Sequence, residues 1–215
     1  MIIALALAVA AAPAAANPAT AIEAERAFAV DAQKIGQWAS FRKWADPTAV
    51  MFTPQAVWAQ DWLKDRKEPA SAVRWWPSHS WSSCDRRTAV NVGPWQAGKE
   101  TGRFNTLWMR QASGDWRWTV DGQLAPRGRF AIPTRTIARR ASCGNSKLRA
   151  ARVEAAYALP LNRTAAPGDS GYGRSADGTL LFNWTVAADG TRRMRAQLWT
   201  GRRFEIVLDE TVPAA

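Results

Sequence analysis

The sequence predicts an α+β fold, in which N-terminal helices pack on a curved antiparallel sheet and a three-stranded β extension follows. Two observations predict it. Helical periodicity comes first, between Ala21 and Ala45, and long alternating strands come afterwards, most clearly from Gly102 to Gly122. The alternating pattern returns from Leu180 over three further runs, which predicts the extension.

The first sixteen residues, MIIALALAVAAAPAAA, are typical of a signal peptide because an uncharged apolar run ends in small residues. The run is too short to span a bilayer as a helix, and a non-cleaved anchor is the alternative. No later segment of the sequence is apolar enough for a transmembrane helix. We therefore expect a periplasmic or secreted protein whose mature chain begins near Asn17.

The sequence from Thr20 to Glu23 is a capping box, which predicts the start of the first helix. Gly36 interrupts the helical pattern, and Pro47 ends a second helical piece that contains Trp38. The buried face of the first helix is predicted to comprise Ile22, Phe28, Ala29, Ala32 and Ile35.

The middle of the chain is predicted to alternate short elements with turns. A strand is expected from Ala49 to Phe52, and a loop or short strand from Gln55 to Asp65. A short helix is expected from Pro69 to Trp76, with proline in its first turn. The stretch from Ser80 to Val92 is typical of a strand pair or of one long bent strand.

The clearest hairpin lies between Gly102 and Gly122, where two alternating runs flank Gly114. Glycine supplies the positive φ that a short hairpin loop needs. Both faces of the first run carry apolar residues, so we expect that strand to be covered on both sides. The second run alternates with a period of two, and its water-facing side is predicted to consist of Arg117, Thr119 and Asp121.

Composition divides the chain into four parts. Residues 1–16 form the signal peptide and residues 17–125 the α+β domain, while residues 126–178 form a linker rich in Pro, Gly and Arg. A helix from Lys147 to Leu159 is possible inside the linker. Residues 179–215 form the meander, with strands expected at Leu180–Ala187, Arg193–Trp199 and Phe204–Leu208.

The net charge of +11 is concentrated late in the chain, since 15 basic and 7 acidic residues from Leu124 onward give +8. A basic surface attracts anionic partners such as a bacterial envelope surface, and a solvated cationic surface is the alternative. No nucleic-acid-binding motif accompanies the charge, so we expect no nucleic acid partner.

The two cysteines, Cys84 and Cys143, are predicted to form a disulfide in the oxidising compartment that export implies. Closing a loop of about 60 residues stabilises a fold by roughly 4 kcal/mol in the loop-entropy model. Two unpaired buried thiols are the alternative. Two separated cysteines and one histidine do not form a ligand cluster, and the sequence has no phosphate-binding loop, so we expect neither a metal nor a cofactor.

A family resemblance is carried by two segments, AIEAERAFAVDAQKIGQWASFRKWADPTAVMFTPQ and GRFNTLWMRQASGDWRWTVDG. Together they resemble the nuclear-transport-factor-2-like superfamily, and more narrowly its bacterial SnoaL-like members, over about Ala21 to Gly122. The matching motifs are Glu25-Arg26-Ala27-Phe28, Ala45-Asp46 and the strand that ends in Asp121-Gly122.

The resemblance implies a cystatin-like cone with a pocket between the helices and the sheet. Some members of this superfamily are isomerases, dehydratases or cyclases, whereas others bind ligands or form homodimers through the sheet. In the isomerases a catalytic carboxylate directly precedes the proline that ends the first strand. Here that position holds Thr53 before Pro54, and a threonine cannot serve as the base.

Thirteen tryptophans are far more than a chain of 215 residues is expected to carry, and indole rings often line pockets. We therefore predict a pocket for a small apolar or aromatic ligand, without catalysis. The candidate ligand-binding residues are Trp58, Trp62, Trp76, Trp108 and Trp118.

Two other functions stay open: a lyase- or isomerase-type pocket enzyme that uses His79 or Asp121, and an envelope-associated interaction module. His79 is the one histidine of the sequence, and a hydrogen-bonded structural or surface role is the simpler interpretation. An Asp-Gly pair at a strand end is typical of a turn, which is the interpretation that the sequence favours for Asp121.

Overall fold

The computed structural model describes residues 17–144 and 170–214. Within these residues, the helices, a large mixed sheet and a smaller antiparallel sheet form three stacked layers, so the α+β class is confirmed. The predicted signal peptide, residues 1–16, and the possible helix from Lys147 to Leu159 lie outside the described residues.

The helices cover one face of the large sheet. Helix α1 spans Ala21–Ile35, α2 spans Gln37–Trp44 and α3 spans Ala59–Leu63. The predicted capping box is confirmed, because Thr20 Oγ1 accepts a hydrogen bond from the Glu23 N–H at 3.2 Å while the Glu23 carboxylate accepts one from the Thr20 N–H. The capping box therefore satisfies the Glu23 N–H in the first turn of α1 and the Thr20 N–H at its N-cap.

The buried face of α1 differs from the predicted one. Ile35, which was expected in the core, is 50% exposed, whereas Glu25 is fully buried. The physical reason is that Glu25 accepts hydrogen bonds from buried N–H groups below the helix, so the stripe through Glu25 faces the sheet. The buried residues of α1 are Ala21, Ala24, Glu25, Phe28 and Ala32.

The large sheet contains eight strands within the described residues. Their order is β2-β1-β7-β6-β5-β4-β8, and β3 pairs with β5 off this path. The strands span Ala45–Phe52 (β1), Ala56–Trp58 (β2), Arg74–Trp75 (β3), His79–Ser82 (β4), Thr88–Ala97 (β5), Glu100–Arg110 (β6), Trp116–Leu124 (β7) and Ile137–Arg140 (β8).

This sheet is mixed rather than antiparallel as predicted. Strand β1 is parallel to β7, and β8 is parallel to β4, while the central ribbon of β5, β6 and β7 is antiparallel. The predicted hairpin around Gly114 is confirmed as β6 and β7. The parallel pairs arise because β1 and β8 reach the sheet through long connections that a sequence pattern cannot trace.

The helix expected from Pro69 to Trp76 is wrong. The chain is extended there and ends in β3, which is Arg74–Trp75. Side chains of α1 and α2 supply the hydrogen bonds that a helix would otherwise make, since Gln33 Nε2 donates to the Val73 carbonyl and Gln37 Oε1 accepts from the Val73 N–H. Tertiary partners thus override a weak local preference.

The segment from Gln55 to Asp65 was predicted as a loop or short strand. It contains the short strand β2, and directly after it the helix α3, which the sequence analysis did not predict. Ala59 and Leu63 of α3 are buried against the helix side of the sheet. A helix of five residues is too short to show a periodic pattern.

The smaller sheet is antiparallel and has the order β12-β11-β10-β9 within the described residues. Its strands span Ser170–Arg174 (β9), Leu180–Val186 (β10), Arg192–Trp199 (β11) and Phe204–Val212 (β12). The three predicted strands are therefore present, and β9 adds a fourth from the region expected as linker. Gly171 of β9 lies where a Cβ would come within 2.6 Å of the Trp184 indole, so only glycine fits there.

The two sheets pack face to face over an apolar core. Val90, Leu107 and Val120 of the large sheet lie in one cluster with Trp184 and Met194 of the small sheet. The face of the large sheet opposite the helices is therefore covered by the same chain. A homodimer through the sheet stays a prediction. The part of the large sheet that packs on the small sheet is already buried within one chain.

The predicted disulfide is confirmed, with Cys84 and Cys143 bonded and their Cα atoms 5.2 Å apart. It joins the turn after β4 to the chain just beyond β8. None of the helices in the described residues has both the length and the hydropathy that a membrane-crossing helix requires.

Candidate functional site

A β-bulge in β7 decides where Asp121 lies. Trp118 pairs with Trp108 and Val120 pairs with Leu107, so Thr119 is an additional residue that the neighbouring strand β6 does not match. A bulge of this kind reverses the alternation of the residues that follow it. Val120 therefore enters the core between the sheets, and Asp121 lies on the helix side, opposite Thr106.

The predicted turn at Asp121 is wrong, because β7 continues past it to Leu124. Asp121 and Gly122 lie inside β7, paired with Thr106 and Asn105 of β6, and not at a strand end. The predicted water-facing side, with Arg117, Thr119 and Asp121 on one face, is broken at the bulge.

Asp121 lines a cavity of about 290 Å³ between the helices and the large sheet. The walls are mostly aromatic and apolar, and the exposed side chains of Glu100 and Gln123 form part of its rim. A volume near 300 Å³ is at the lower end of small-molecule sites. Its aromatic and apolar side chains are Phe28, Trp38, Phe41, Met51, Phe52, Val73, Trp75, Trp95, Ala97 and Phe104.

The carboxyl group of Asp121 is only partly engaged. Its Oδ2 accepts a hydrogen bond from Thr106 Oγ1 at 3.0 Å, and in the described part of the chain Oδ1 has no hydrogen-bond partner. The residue is partly exposed, and it lines the cavity. One oxygen of Asp121 is therefore available to a molecule in the cavity.

Glu25 lies beneath the same cavity and is completely buried. Its Oε1 accepts a hydrogen bond from Trp75 Nε1 at 2.8 Å, and its Oε2 accepts from Trp108 Nε1 at 2.6 Å and from Asn91 Nδ2 at 3.2 Å. These donors come from three different strands, β3, β6 and β5. Glu25 thus joins α1 to the sheet through a fully bonded carboxyl group.

Burial raises the pKa of both carboxyl groups. Desolvation raises the pKa of Glu25 from 4.5 to about 7, against the lowering effect of its hydrogen bonds. Desolvation also raises the pKa of Asp121 from 3.8 to about 8, and the nearby Glu25 charge contributes in the same direction. The Thr106 hydroxyl is within hydrogen-bonding reach of both groups. The raised pKa favours the protonated form of Asp121 at neutral pH, and that form can donate a hydrogen bond.

Among the described residues, the five tryptophans predicted to bind the ligand do not line this cavity. Trp108 and Trp118 are fully buried and contact the lining ring of Phe28 from behind, with ring centroids 6.0 and 6.5 Å away. The tryptophans of the lining are instead Trp38, Trp75 and Trp95.

The other three candidate tryptophans lie further out. Trp62 contacts Trp38 at 5.4 Å and is covered by Arg66, while Trp76 contacts Phe130 at 6.1 Å. Trp58 packs at the border of the core between the sheets. A ligand-binding role for any of the five candidate tryptophans stays a prediction.

His79 lies on the other face of the large sheet. It pairs with Val92 of β5, whose side chain belongs to the core between the sheets, whereas Asp121 lies on the helix side. Its Nδ1 is 3.1 Å from Ser78 Oγ, and its ring is stacked on Trp81 with centroids 5.9 Å apart. The sheet therefore separates His79 from Asp121, and the two cannot act on one ligand in the cavity.

The chain matches no protein-family model, and no curated protein matches it. The described residues also contain no group of three or more His, Cys, Asp or Glu side chains that could hold a metal ion. The functional argument therefore depends on the geometry of the cavity and of its carboxyl group.

Glu25 is the member of this site that the sequence analysis missed. The sequence did indicate that Glu25 is buried, because it lies three residues before Phe28 and seven before Ala32 on one helical face. A carboxylate inside an otherwise apolar stripe indicates a buried acid with dedicated donors. Those donors are up to 83 residues away in sequence, so they could not be identified without the structure.

Proposed function

We propose that this protein binds a small, uncharged aromatic or apolar molecule in the cavity, and that the molecule carries one hydrogen-bond acceptor. The observation that supports this is the Oδ1 of Asp121, which has no hydrogen-bond partner among the described residues and lies beside the aromatic walls of the cavity. A protonated carboxyl group donates to a carbonyl or ether oxygen, whereas an anionic ligand would gain no charge partner from it.

We also propose that the protein is exported and has the cystatin-like cone of the nuclear-transport-factor-2-like superfamily. Support for the cone comes from helices packed on one face of a large sheet with a cavity between them. Support for export comes from the Cys84–Cys143 disulfide, since disulfides persist mainly in oxidising compartments.

Displacement of a neutral fluorescent probe, phenylnaphthylamine, tests the ligand class. Acetylnaphthalene and ethylnaphthalene are nearly equal in size, but only the ketone carries an acceptor. We expect the ketone to displace the probe about tenfold more effectively, which corresponds to one hydrogen bond of about 1.4 kcal/mol. We expect naphthoate, an anion, to compete poorly.

Substitutions at Asp121 connect this preference to the site. Asp121→Asn keeps an N–H donor and should retain the preference for the ketone, whereas Asp121→Leu should remove it while ethylnaphthalene still binds. Asp65→Leu, at an exposed position, is the control and should behave as the wild type. Equal affinity of the wild type for the two naphthalenes, or no probe binding at all, would contradict the proposal.

A second candidate function is proton transfer to or from a bound carbonyl compound. It is favoured by the pKa of Asp121 near 8, because a group that titrates close to neutral pH can both give and take a proton. Asp121 also has the geometry that this function requires, because it lines the cavity and has a hydrogen-bonded neighbour, Thr106. His79 does not line this cavity.

Deuterium exchange separates the two functions. In heavy water, an enzyme of this type should exchange the methyl protons of acetylnaphthalene, which lie next to its carbonyl group, and proton NMR follows their loss. Asp121→Asn should bind the ketone and lose the exchange, because an amide cannot act as acid or base here. Binding without exchange in the wild type would leave ligand binding alone as the function.

A further inference from the structure

A cleft lies on the face of β5 and β6 that is opposite the aromatic cavity. It measures about 200 Å³ and is bounded by β5, β6 and the segment that follows β7, including residues 126–131. Pro94, Thr101 and Arg103 line it from the sheet, while Trp95 and Phe104 line the aromatic cavity from the opposite face. The cleft and the aromatic cavity are therefore separated by a single sheet layer.

The charges of this cleft are unbalanced. It is lined by Arg103, Arg127 and Arg129 and, among the described residues, by no acidic residue, and the carboxylate that lies within 4 Å of Arg103 and Arg127 is Glu210, which is 5% exposed. Arg103 uses both Nη atoms on Glu210, at 2.7 and 2.8 Å, and also donates to the Ala125 carbonyl. That pair is neutral, so the excess positive charge of the cleft comes from the other two arginines.

Those two arginines are the ones available to a ligand. Arg127 is 3.9 Å from Glu210, beyond a hydrogen bond, and its side chain is 68% exposed. Arg129 has no ion pair or hydrogen bond in the described part of the chain. Arg103, by contrast, is held by Glu210 and Ala125 and gives the cleft a fixed wall.

We propose that this cleft binds a small free oxyanion, with Arg127 and Arg129 as its charged partners and the Thr101 hydroxyl as a further donor. Guanidinium groups recognise phosphate and carboxylate oxygens with paired, charge-assisted hydrogen bonds. The volume of about 200 Å³ suits one compact anion rather than a polymer. The proposal is independent of the ligand of the aromatic cavity.

Binding can be followed without a label. Phe130 lines the cleft and contacts the Trp76 ring with centroids 6.1 Å apart, so a bound anion should change tryptophan fluorescence as well as release heat. The probes are inorganic phosphate and citrate, titrated calorimetrically into the full-length protein in a buffer of constant ionic strength. We expect saturable binding of at least one of them at a single site.

The decisive variant is R127Q/R129Q, compared with R140Q/R202Q, which removes the same charge from exposed arginines outside the cleft. We expect affinity to fall at least about tenfold in the first variant and to be unchanged in the second. Equal weakening in both variants would show non-specific attraction to the basic surface and overturn the proposal. So would the absence of saturable binding in the wild type. Either failure leaves the proposal for the aromatic cavity intact, because its probes and variants are different.

Discussion

At the scale of single residues, two carboxyl groups have a raised pKa, Glu25 because it is fully buried and Asp121 because it lies in a largely apolar cavity. Glu25 is satisfied by two indole N–H groups and one amide, whereas Asp121 accepts one bond from Thr106 and its Oδ1 has no partner in the described part of the chain. Because their hydrogen bonding differs, the two carboxyl groups have different roles. Glu25 holds the helix layer on the sheet, and Asp121 faces the cavity.

The first prediction concerns the pH dependence of stability. Both groups keep their protons to higher pH in the folded than in the unfolded protein, since their pKa values rise from 4.5 to about 7 and from 3.8 to about 8. This stabilisation is complete below the unfolded values and is lost as pH rises through the folded values. Urea unfolding should therefore show a free energy of unfolding that falls between pH 5 and 8, by up to about 1.4 kcal/mol per pH unit for each proton.

Glu25→Gln provides the matched test, because the amide cannot ionise. The variant should lose part of the pH slope, and it should be about 1–3 kcal/mol less stable at pH 5, since one acceptor becomes a donor facing N–H groups. Glu100→Gln, at the exposed rim, should change neither quantity. A wild-type stability that is flat or rises over this range would contradict the assigned burial of the two acids.

At the scale of elements, helix α1 has a start that its own sequence specifies. It begins with a complete capping box and presents Glu25 and Phe28 to the sheet from one face. Strand β7 shows the opposite behaviour, because one additional residue, Thr119, redirects Asp121 from the core between the sheets to the cavity. The position of the carboxyl group is thus a property of strand pairing and not of the alternating pattern alone.

The prediction at this scale is that Thr20→Ala destabilises the protein by about 1 kcal/mol, because the Glu23 N–H loses its acceptor at the helix start. Thr20→Ser keeps the hydroxyl and should be close to the wild type. Urea unfolding of the three proteins measures the difference. A Thr20→Ser variant as unstable as Thr20→Ala would show that the methyl group, and not the cap, stabilises the helix start.

At the scale of the whole molecule, the small sheet covers the face of the large sheet that the helices leave open. Phe182, Trp184 and Leu198 bury that face with residues of the same chain. The helix side and the inter-sheet side therefore have separate cores. The core on the helix side is rich in aromatic residues, and the core between the sheets is mainly aliphatic. The disulfide closes the chain between β4 and the strand β8 at the sheet edge.

The corresponding prediction is that C84A/C143A lowers the free energy of unfolding by about 2–4 kcal/mol, because the bond closes a loop between residues 59 apart in sequence. Equilibrium unfolding of the wild type with and without reductant should give a similar loss. Reductant should have no effect on the double variant. Equal stability of oxidised wild type and double variant would mean that the bond constrains a part of the chain that is already ordered when the rest unfolds.

The sequence by itself determined the features that depend on neighbours along the chain. These are the capped start of α1 at Thr20, the hairpin around Gly114, the three C-terminal strands and the α+β class. Such features follow from periodicity and turn chemistry, which act over a few residues. The pairing of Cys84 with Cys143 was also predictable, because two cysteines allow only one intramolecular bond.

Only the tertiary structure decided the candidate site. The bulge at Thr119 sends Asp121 to the helix side, and the donors of Glu25 come from strands 50 to 83 residues away in sequence. Strand register and long-range hydrogen bonds depend on which surfaces meet, and no local pattern contains that information. The same applies to the parallel strands β1 and β8, whose partners are chosen by packing across the finished sheet.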